Sequence, residues 1–381
     1  MEHHEELLTW ATDQGVRLNG ITPKRIPGRG IGLIATRAIK PDEAVLEVST
    51  ACLRCIDTIR KPVIRHLPKT MSVHGLLAAD LALDASSKYA LWNAVCPTPD
   101  DFFGMPLVWP RELCALLPLA AREMLSKQEI KLARDWAAVS AAFPQQDQLE
   151  KTQYRYAWML VNTRTFYYIN TKLSKRKSKD DHMCLQPVAD LFNHTDEGGC
   201  NVAFDHEGFT IKSLRPYAKG EEVKICYGRH SSDFLLVEYG FVMDDNRWDE
   251  ALLDDVLLPR LSDRQKDKLE EVGFLGKYVL DKETVCYRTQ IAARLLCCGF
   301  REWKRFVDGV DDGECSQKAA DHLILELLRE QKQKAEKTIS EVEALSVGEP
   351  EQREMLVKRW KQIQDLLDAN ITRLIKETKY I

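Results

Sequence analysis

At 381 residues, 44% hydrophobic and 29% charged with a net charge of −4, the chain has the makeup of a soluble globular protein with one large core or two to three smaller ones. The slightly acidic balance gives no general pull towards nucleic acid, so no direct nucleic-acid partner is expected. No uninterrupted apolar run approaches the ~20 residues of a membrane span, the opening MEHHEELLTW lacks the basic flank and apolar stretch of an export signal, and eleven cysteines without such a signal read as free thiols in the cytoplasm or nucleus.

In chain order, residues 5–14 have the spacing of a short amphipathic helix. Gly28-Arg29-Gly30-Ile31-Gly32 then forms a turn running into the apolar segment LIATRAI, and after the Pro41-Asp42 turn AVLEVS gives a second short strand. From 61 to 150 the apolar residues recur at helical spacing, in HGLLAADLAL and in RELCALLPLAAREMLSKQEIKLARDWAAVSAAF, around a proline-rich loop. YRYAWMLVNTRTFYYI predicts a further helix that frays into a strand. Residues 185–245 return to short β-type segments with glycine-rich turns. Beyond about 250 the pattern is helical, and Gly348-Glu349-Pro350 separates two long helices that read as a hairpin rather than a coiled-coil dimer. The fold class is α+β, with β structure in two separated blocks and a helical C-terminal domain, and the chain reads as a monomer.

Chemistry concentrates between Gln186 and Gly240. Asn and His carry donors and acceptors that need partners when buried, so the adjacent pair Asn193-His194, close in sequence to Tyr227 at the end of GEEVKICYG, points to a site fixed by hydrogen bonds. The glycine cluster 28–32 is either a flexible hairpin turn or a surface where missing Cβ atoms let a ligand lie against the backbone. GRGIGL lacks the third glycine of a dinucleotide fingerprint, and no helix pattern follows it. Tyr227 read alone is a strand-end tyrosine with a capped hydroxyl.

Taken together and in order, GRGIGLIATRAI, VNTRTF, PVADLFNH, GEEVKICYG and LLVEYGF resemble the motif set of SET-domain protein methyltransferases, and within them the Rubisco large-subunit lysine methyltransferase class. DFFGMPLVWPRELCALLP resembles the helical insertion of that class, and the tail resembles its helical substrate-binding domain. The resemblance implies a SET-domain β-fold of short strands with a helical insertion, followed by an all-α C-terminal domain. Its segments would be 1–60 and 151–248 for the SET domain, 61–150 for the insertion and 249–381 for the tail. It implies S-adenosyl-L-methionine as cofactor and a protein lysine as acceptor. By motif, the backbone of Arg29 and Ile31 would contact the cofactor and Arg164 would hold its carboxylate. Asn193 and His194 would meet the adenine or amino group, mainly through backbone atoms, and Phe241 would stack near the adenine. Tyr227 would be the catalytic residue and also touch the cofactor. Phe166, Tyr168 and Asp190 would line the lysine channel. Thr163 stands where serine is usual in that motif, and Tyr168 stands where the class can carry a basic residue.

No metal is expected. His182, Cys184, His194 and Cys200 match none of the spacings that fix a tetrahedral site. The basic run Lys172 to Lys179 reads as a solvated loop, with steering of an acidic partner as its other use. Two alternatives to a lysine methyltransferase acting on a non-histone or ribosomal protein stay open at this point: a histidine acceptor on the same fold, and an inactive SET scaffold that binds a protein partner.

Overall fold

The computed structural model describes residues 3–144, 149–169 and 182–379. The basic run 172–179 lies outside the described residues. The chain divides into two compact units, one built from 1–103 with 127–229 and the other from 104–126 with 230–381.

In the first unit an eight-stranded sheet carries the site. Ile21–Ile26 and Gly30–Ala35 form an antiparallel hairpin in which Ile26 faces Gly30. Its turn needs the left-handed backbone of Gly28 at φ 72° and Gly30 at φ 71°, a conformation glycine adopts without steric cost. Gly30–Ala35 then pairs antiparallel with Glu222–Ile225, through Leu33 and Val223. Both of these residues are fully buried, so alternation fixes the register. On its other side Glu222–Ile225 runs parallel to Asn193–His194, with Lys224 beside Asn193 and Ile225 beside His194. The remaining ladder passes through Cys200–Phe204 and Gly208–Ser213 to Ala44–Ser49. A separate three-stranded sheet joins Arg54–Cys55, Met183–Leu185 and Thr165–Tyr167.

The helices follow the sequence spacing. Lys151–Arg164 buries Tyr154, Ala157, Trp158 and Val161, one face at i, i+3, i+4 and i+7, and packs on Val73–Ala82. Ser72 caps Val73–Ala82 by accepting from the Gly75 N–H. Thr165 leaves helical geometry at φ −83°, ψ 147°, so the helix turns directly into the strand Thr165–Tyr167. Arg164 is therefore the last residue of a helix, where a cation is favoured by the exposed carbonyl ends.

In the second unit the long helices Glu314–Ala344 and Pro350–Lys379 pack as the expected hairpin. Leu356, Trp360, Ile363, Leu367, Asn370 and Leu374 recur at alternating steps of four and three and are all buried. Pattern reading did not anticipate the short ribbon of Glu250–Leu252 with Val279–Asp281, two three-residue strands with too few alternations to stand out among helices. Ser232–Tyr239 is a helix capped by Ser231 and ended by Gly240 at φ 80°. Arg359, fully buried, bonds Asp233 at 2.7 Å, Asp249 at 2.9 Å and the Glu250 carbonyl at 2.8 Å. Among the described residues no helix is long and apolar enough to cross a membrane.

Each nitrogen of Arg359 has an acceptor, so removing Asp233 leaves a buried, charged N–H donor without one. We expect Asp233→Ala to destabilise the protein by about 3–5 kcal/mol in chemical denaturation. A loss below about 1 kcal/mol, the range of an exposed pair, would contradict the burial argument.

Candidate active site

The helix end at Arg164 and the turn leading to Asn193 meet first. Arg164 Nη1 donates to the Asp190 carbonyl and lies 3.6 Å from Asp190 Oδ2. The Asp190 side chain is almost wholly enclosed, and Trp92 Nε1 donates to its Oδ2 at 3.0 Å. Burial pushes the Asp190 carboxyl up from the usual carboxylate range, while Arg164 pulls it back down. The turn itself is strained. Val188, β-branched, has φ 68° and ψ −43°, a conformation that costs of order 1–3 kcal/mol and persists only where its surroundings enforce it.

Two residues after Asp190, the Phe192 carbonyl accepts from the Tyr227 hydroxyl at 2.6 Å. The Tyr227 N–H donates to His194 Nδ1 at 3.1 Å, which makes that nitrogen an acceptor and assigns the ring proton of a neutral His194 to Nε2. The His194 and Tyr227 ring centroids are 5.0 Å apart. Burial is the main reason the half-buried Tyr227 phenol is pushed up to about 12; Arg164 opposes the shift, and the negative charges of Asp190 and Glu222 add to it. Tyr227, Arg164 and Asp190 thus stand within electrostatic reach of one another. Because the one phenolic proton is committed to Phe192, the Tyr227 oxygen offers lone pairs rather than a donor.

The glycine hairpin is tied to the same place by a residue that sequence reasoning missed. Glu222 accepts from Asn193 Nδ2 at 2.8 Å and from Arg29 Nη1 at 2.8 Å. Strand alternation was the available signal, since Val223 and Ile225 point inward and so turn Glu222 to the other face. Gly32 explains the third glycine of the cluster. A Cβ there would come 2.8 Å from Asn193 Nδ2 and 2.5 Å from Ile26 Cδ1, closer than atoms can pack. At Gly28 and Gly30 an added Cβ would meet nothing within 4 Å, so the backbone of this turn is open on one side. The Arg29 N–H is engaged with the Ile26 carbonyl at 3.0 Å, which leaves the Arg29 carbonyl for any ligand contact. Ile31 stands opposite Arg25 in the hairpin.

The other anticipated residues fall in two further places. Phe166 and Tyr168 join an aromatic group with Phe204 and Phe209, at ring separations of 6.2 Å for Phe166–Phe209 and 5.8 Å for Tyr168–Phe204. Phe241 belongs to the second unit, directly after the Gly240 cap, with its ring 6.3 Å from Tyr239. The first unit therefore gathers Arg29, Ile31, Arg164, Asp190, Asn193, His194 and Tyr227 around the strand Glu222–Ile225. The donor set suits an organic ligand with an anionic end: the Arg164 Nε is buried with no partner in the protein, and the open glycine backbone lies in the hairpin that Glu222 ties to Asn193.

Comparison with known proteins gives the following. A model of the SET domain matches residues 30–228, and one described as "Ribosomal lysine N-methyltransferase 2 C-terminal domain" matches residues 253–373. The ribosomal lysine N-methyltransferase set11 of Schizosaccharomyces pombe is 26% identical over 269 residues, covering 68% of this chain and 68% of that protein. An actin-histidine N-methyltransferase of Gallus gallus is 25% identical over 267 residues, covering 66% of this chain and 44% of that one. Among solved structures, Rubisco LSMT bound to AdoMet superposes with a TM-score of 0.66, covering 99% of this chain and 92% of that one; at 14% identity the likeness speaks to the fold.

The hydroxyl geometry predicts a pH response. A phenol held near 12 keeps its proton in the folded chain after an unfolded tyrosine, near 10, has released it. The folded state then binds the extra proton, so this group lowers stability as pH rises from about 10 to about 12. An ultraviolet difference titration of the native protein against Tyr227→Phe is expected to show no phenolate from Tyr227 at pH values near 10. Ionisation at that pH would disprove the enclosed, proton-donating hydroxyl.

Proposed function

The chain belongs to the SET-domain family, whose methyltransferases draw on S-adenosylmethionine, and from that membership we propose that it methylates a lysine side chain of a non-histone or ribosomal protein. The observation that supports this reading best is the Tyr227 hydroxyl, fixed by the Phe192 carbonyl within electrostatic reach of Arg164 and beside the Asn193-His194 pair. When bound, the cofactor supplies an electrophilic methyl carbon on a cationic sulfur. The chain's own residues then have to align, desolvate and orient.

Arg164 has one edge engaged with Asp190, and its Nε is left to hold the carboxylate of the methionine moiety, a charge-assisted bond suited to a guanidinium. The Arg29 carbonyl and the Ile31 backbone offer contacts along the glycine turn, and Asn193 and His194 do so from the neighbouring strand. Phe241 takes the adenine face in this reading. Tyr227 is the catalytic residue. It does not act as a base near neutral pH, since its proton is retained to about 12. Its lone pairs accept an N–H from the incoming amine and aim the nitrogen at the methyl carbon, and such alignment can supply several of the ~7–11 kcal/mol available to ideal positioning. The acceptor amine arrives neutral because desolvation lowers its pKa. Phe166 and Tyr168 provide an aromatic wall for an alkyl stem and ammonium head, and Asp190 adds negative charge.

We favour a lysine acceptor over histidine because the C-terminal family model and the set11 relative are both described as ribosomal lysine N-methyltransferases. An imidazole would also need a partner for its second ring nitrogen, and the Tyr227 proton is already given to Phe192. The helical second unit, matched over 253–373 by the C-terminal family model, is the proposed docking surface for the protein substrate, and the enzyme is proposed to work as a monomer in the cytoplasm or nucleus.

Three measurements test this reading. Arg164→Ala is expected to weaken cofactor binding roughly 10–100-fold, since a buried charged partner is lost. Tyr227→Phe should slow turnover by about 10²-fold with cofactor affinity little changed; an Arg164 variant with full affinity would contradict the carboxylate role. Acid hydrolysis of a protein band labelled from radioactive cofactor should yield methyl-lysine. Methyl-histidine would move the assignment to the other acceptor, and binding without labelling would leave a scaffold.

A further inference from the structure

The turn from Gln186 to Asp190 carries a feature for which the reaction gives no reason. Gln186 is fully buried, and neither its amide oxygen nor its amide nitrogen has a hydrogen-bond partner in the protein. A side chain so enclosed ordinarily satisfies both atoms, because an unpaired buried amide is costly. Two more orphaned atoms belong to its neighbours, Asp190 Oδ1 and Arg54 Nη1. The Asp190 N–H reaches the Gln186 carbonyl at 3.4 Å, closing the turn that Val188 strains. Arg54 pairs across the ladder with Leu185, the residue before Gln186. Cys96 lies within electrostatic reach of both Arg54 and Asp190.

The four atoms divide into two donors, Arg54 Nη1–H and Gln186 Nε2–H, and two acceptors, Gln186 Oε1 and Asp190 Oδ1. That is the complement of a single water molecule, which accepts two hydrogen bonds and donates two. We propose that Gln186 is a positioning residue for the cofactor's arginine, holding with Arg54 an enclosed water that fixes the free oxygen of Asp190. Asp190 is the link. Its other oxygen is held by Trp92, and its carbonyl and carboxylate both face Arg164. With Oδ1 anchored, the carboxylate keeps its distance from the guanidinium, and the Nε edge stays free for the ligand. Without the anchor, Asp190 swings onto Arg164 and takes up that edge. The inference rests on the reading of Arg164 as the residue that holds the cofactor.

The test combines a structure with a variant. High-resolution crystallography of the full chain should place a water within hydrogen-bond distance of the Gln186 amide and Asp190 Oδ1; a dry amide, or one bonded directly to protein, overturns the proposal. Gln186→Met keeps length and volume while removing both polar atoms. Calorimetry with S-adenosylhomocysteine should show about tenfold weaker binding, and kcat at saturating cofactor should stay within about twofold of the native value. A purely structural role would lower the melting temperature without moving that affinity, and unchanged affinity overturns the proposal whatever the melting temperature does. If the variant does not fold, the crystallographic arm decides alone. The Arg164→Ala measurement separates the two levels: full affinity there sinks the functional reading, whereas weakened binding there with full affinity in Gln186→Met sinks only the role of Gln186.

Discussion

Everything proposed for this protein depends on the double pairing of one short strand. Glu222–Ile225 bonds antiparallel to the glycine hairpin on one side and parallel to Asn193–His194 on the other. Segments almost two hundred positions apart in sequence are brought together by four residues, and Tyr227 leaves the end of that strand with its position set. The Glu222 carboxylate adds a second tie by accepting from both Arg29 and Asn193. Parallel pairing of nearby segments requires a crossover connection, and the intervening strands Cys200–Phe204 and Gly208–Ser213 occupy it. Register carries the chemistry here. A slip of one residue would turn Glu222 inward and aim Tyr227 away from Phe192.

Much of this was legible because several motifs report backbone geometry directly. Glycines at 28, 30 and 32 signal a tight turn or a backbone open to a ligand; the structure uses Gly28 and Gly30 for the turn, and Gly32 makes room for the side chains of Ile26 and Asn193. The helix before Arg164 announces itself through Tyr154, Ala157, Trp158 and Val161. The two long helical patterns separated by Gly348-Glu349-Pro350 likewise announce the helical hairpin. What stayed hidden depends on contacts between distant segments. Trp92 sits in LWNAV, where nothing in the local pattern marks it as the partner of Asp190. Positive φ at Val188 is invisible because valine is among the residues least suited to it, so no propensity argument would place it there. The ribbon Glu250–Leu252 with Val279–Asp281 is too short to show a period of two.

Arg359 and Arg164 give a useful contrast. In the second unit Arg359 has every nitrogen bonded, to Asp233, Asp249 and the Glu250 carbonyl. Such a group is a locked structural element whose charge is fully compensated. Arg164 has the same chemistry and a different surrounding. One nitrogen goes to a main-chain oxygen, the nearest carboxylate oxygen stands at 3.6 Å, and Nε is enclosed without an acceptor. A protein gains nothing in stability from leaving a guanidinium half-satisfied. The arrangement makes sense when an anionic ligand completes it, because the desolvation cost is then met before binding and the full charge-assisted bond is realised on arrival.

The same reasoning extends to the turn that precedes Asn193. Strain at Val188 and the unpaired amide of Gln186 both lower stability, and both lie within five residues that set where Asp190 points. Backbone strain of this kind survives when the surroundings over-determine it and a precise position is worth more than a relaxed one. Here the position in question is that of a carboxylate whose charge acts on both Arg164 and Tyr227. Its negative field raises the phenol's hold on its proton, which keeps Tyr227 a neutral acceptor, and the adjacent cation limits how far that carboxyl itself can be pushed up. In the proposed site, then, one buried acid sets how much of the Arg164 guanidinium is left for the cofactor, while the Tyr227 oxygen keeps its position through its own bond to the Phe192 carbonyl.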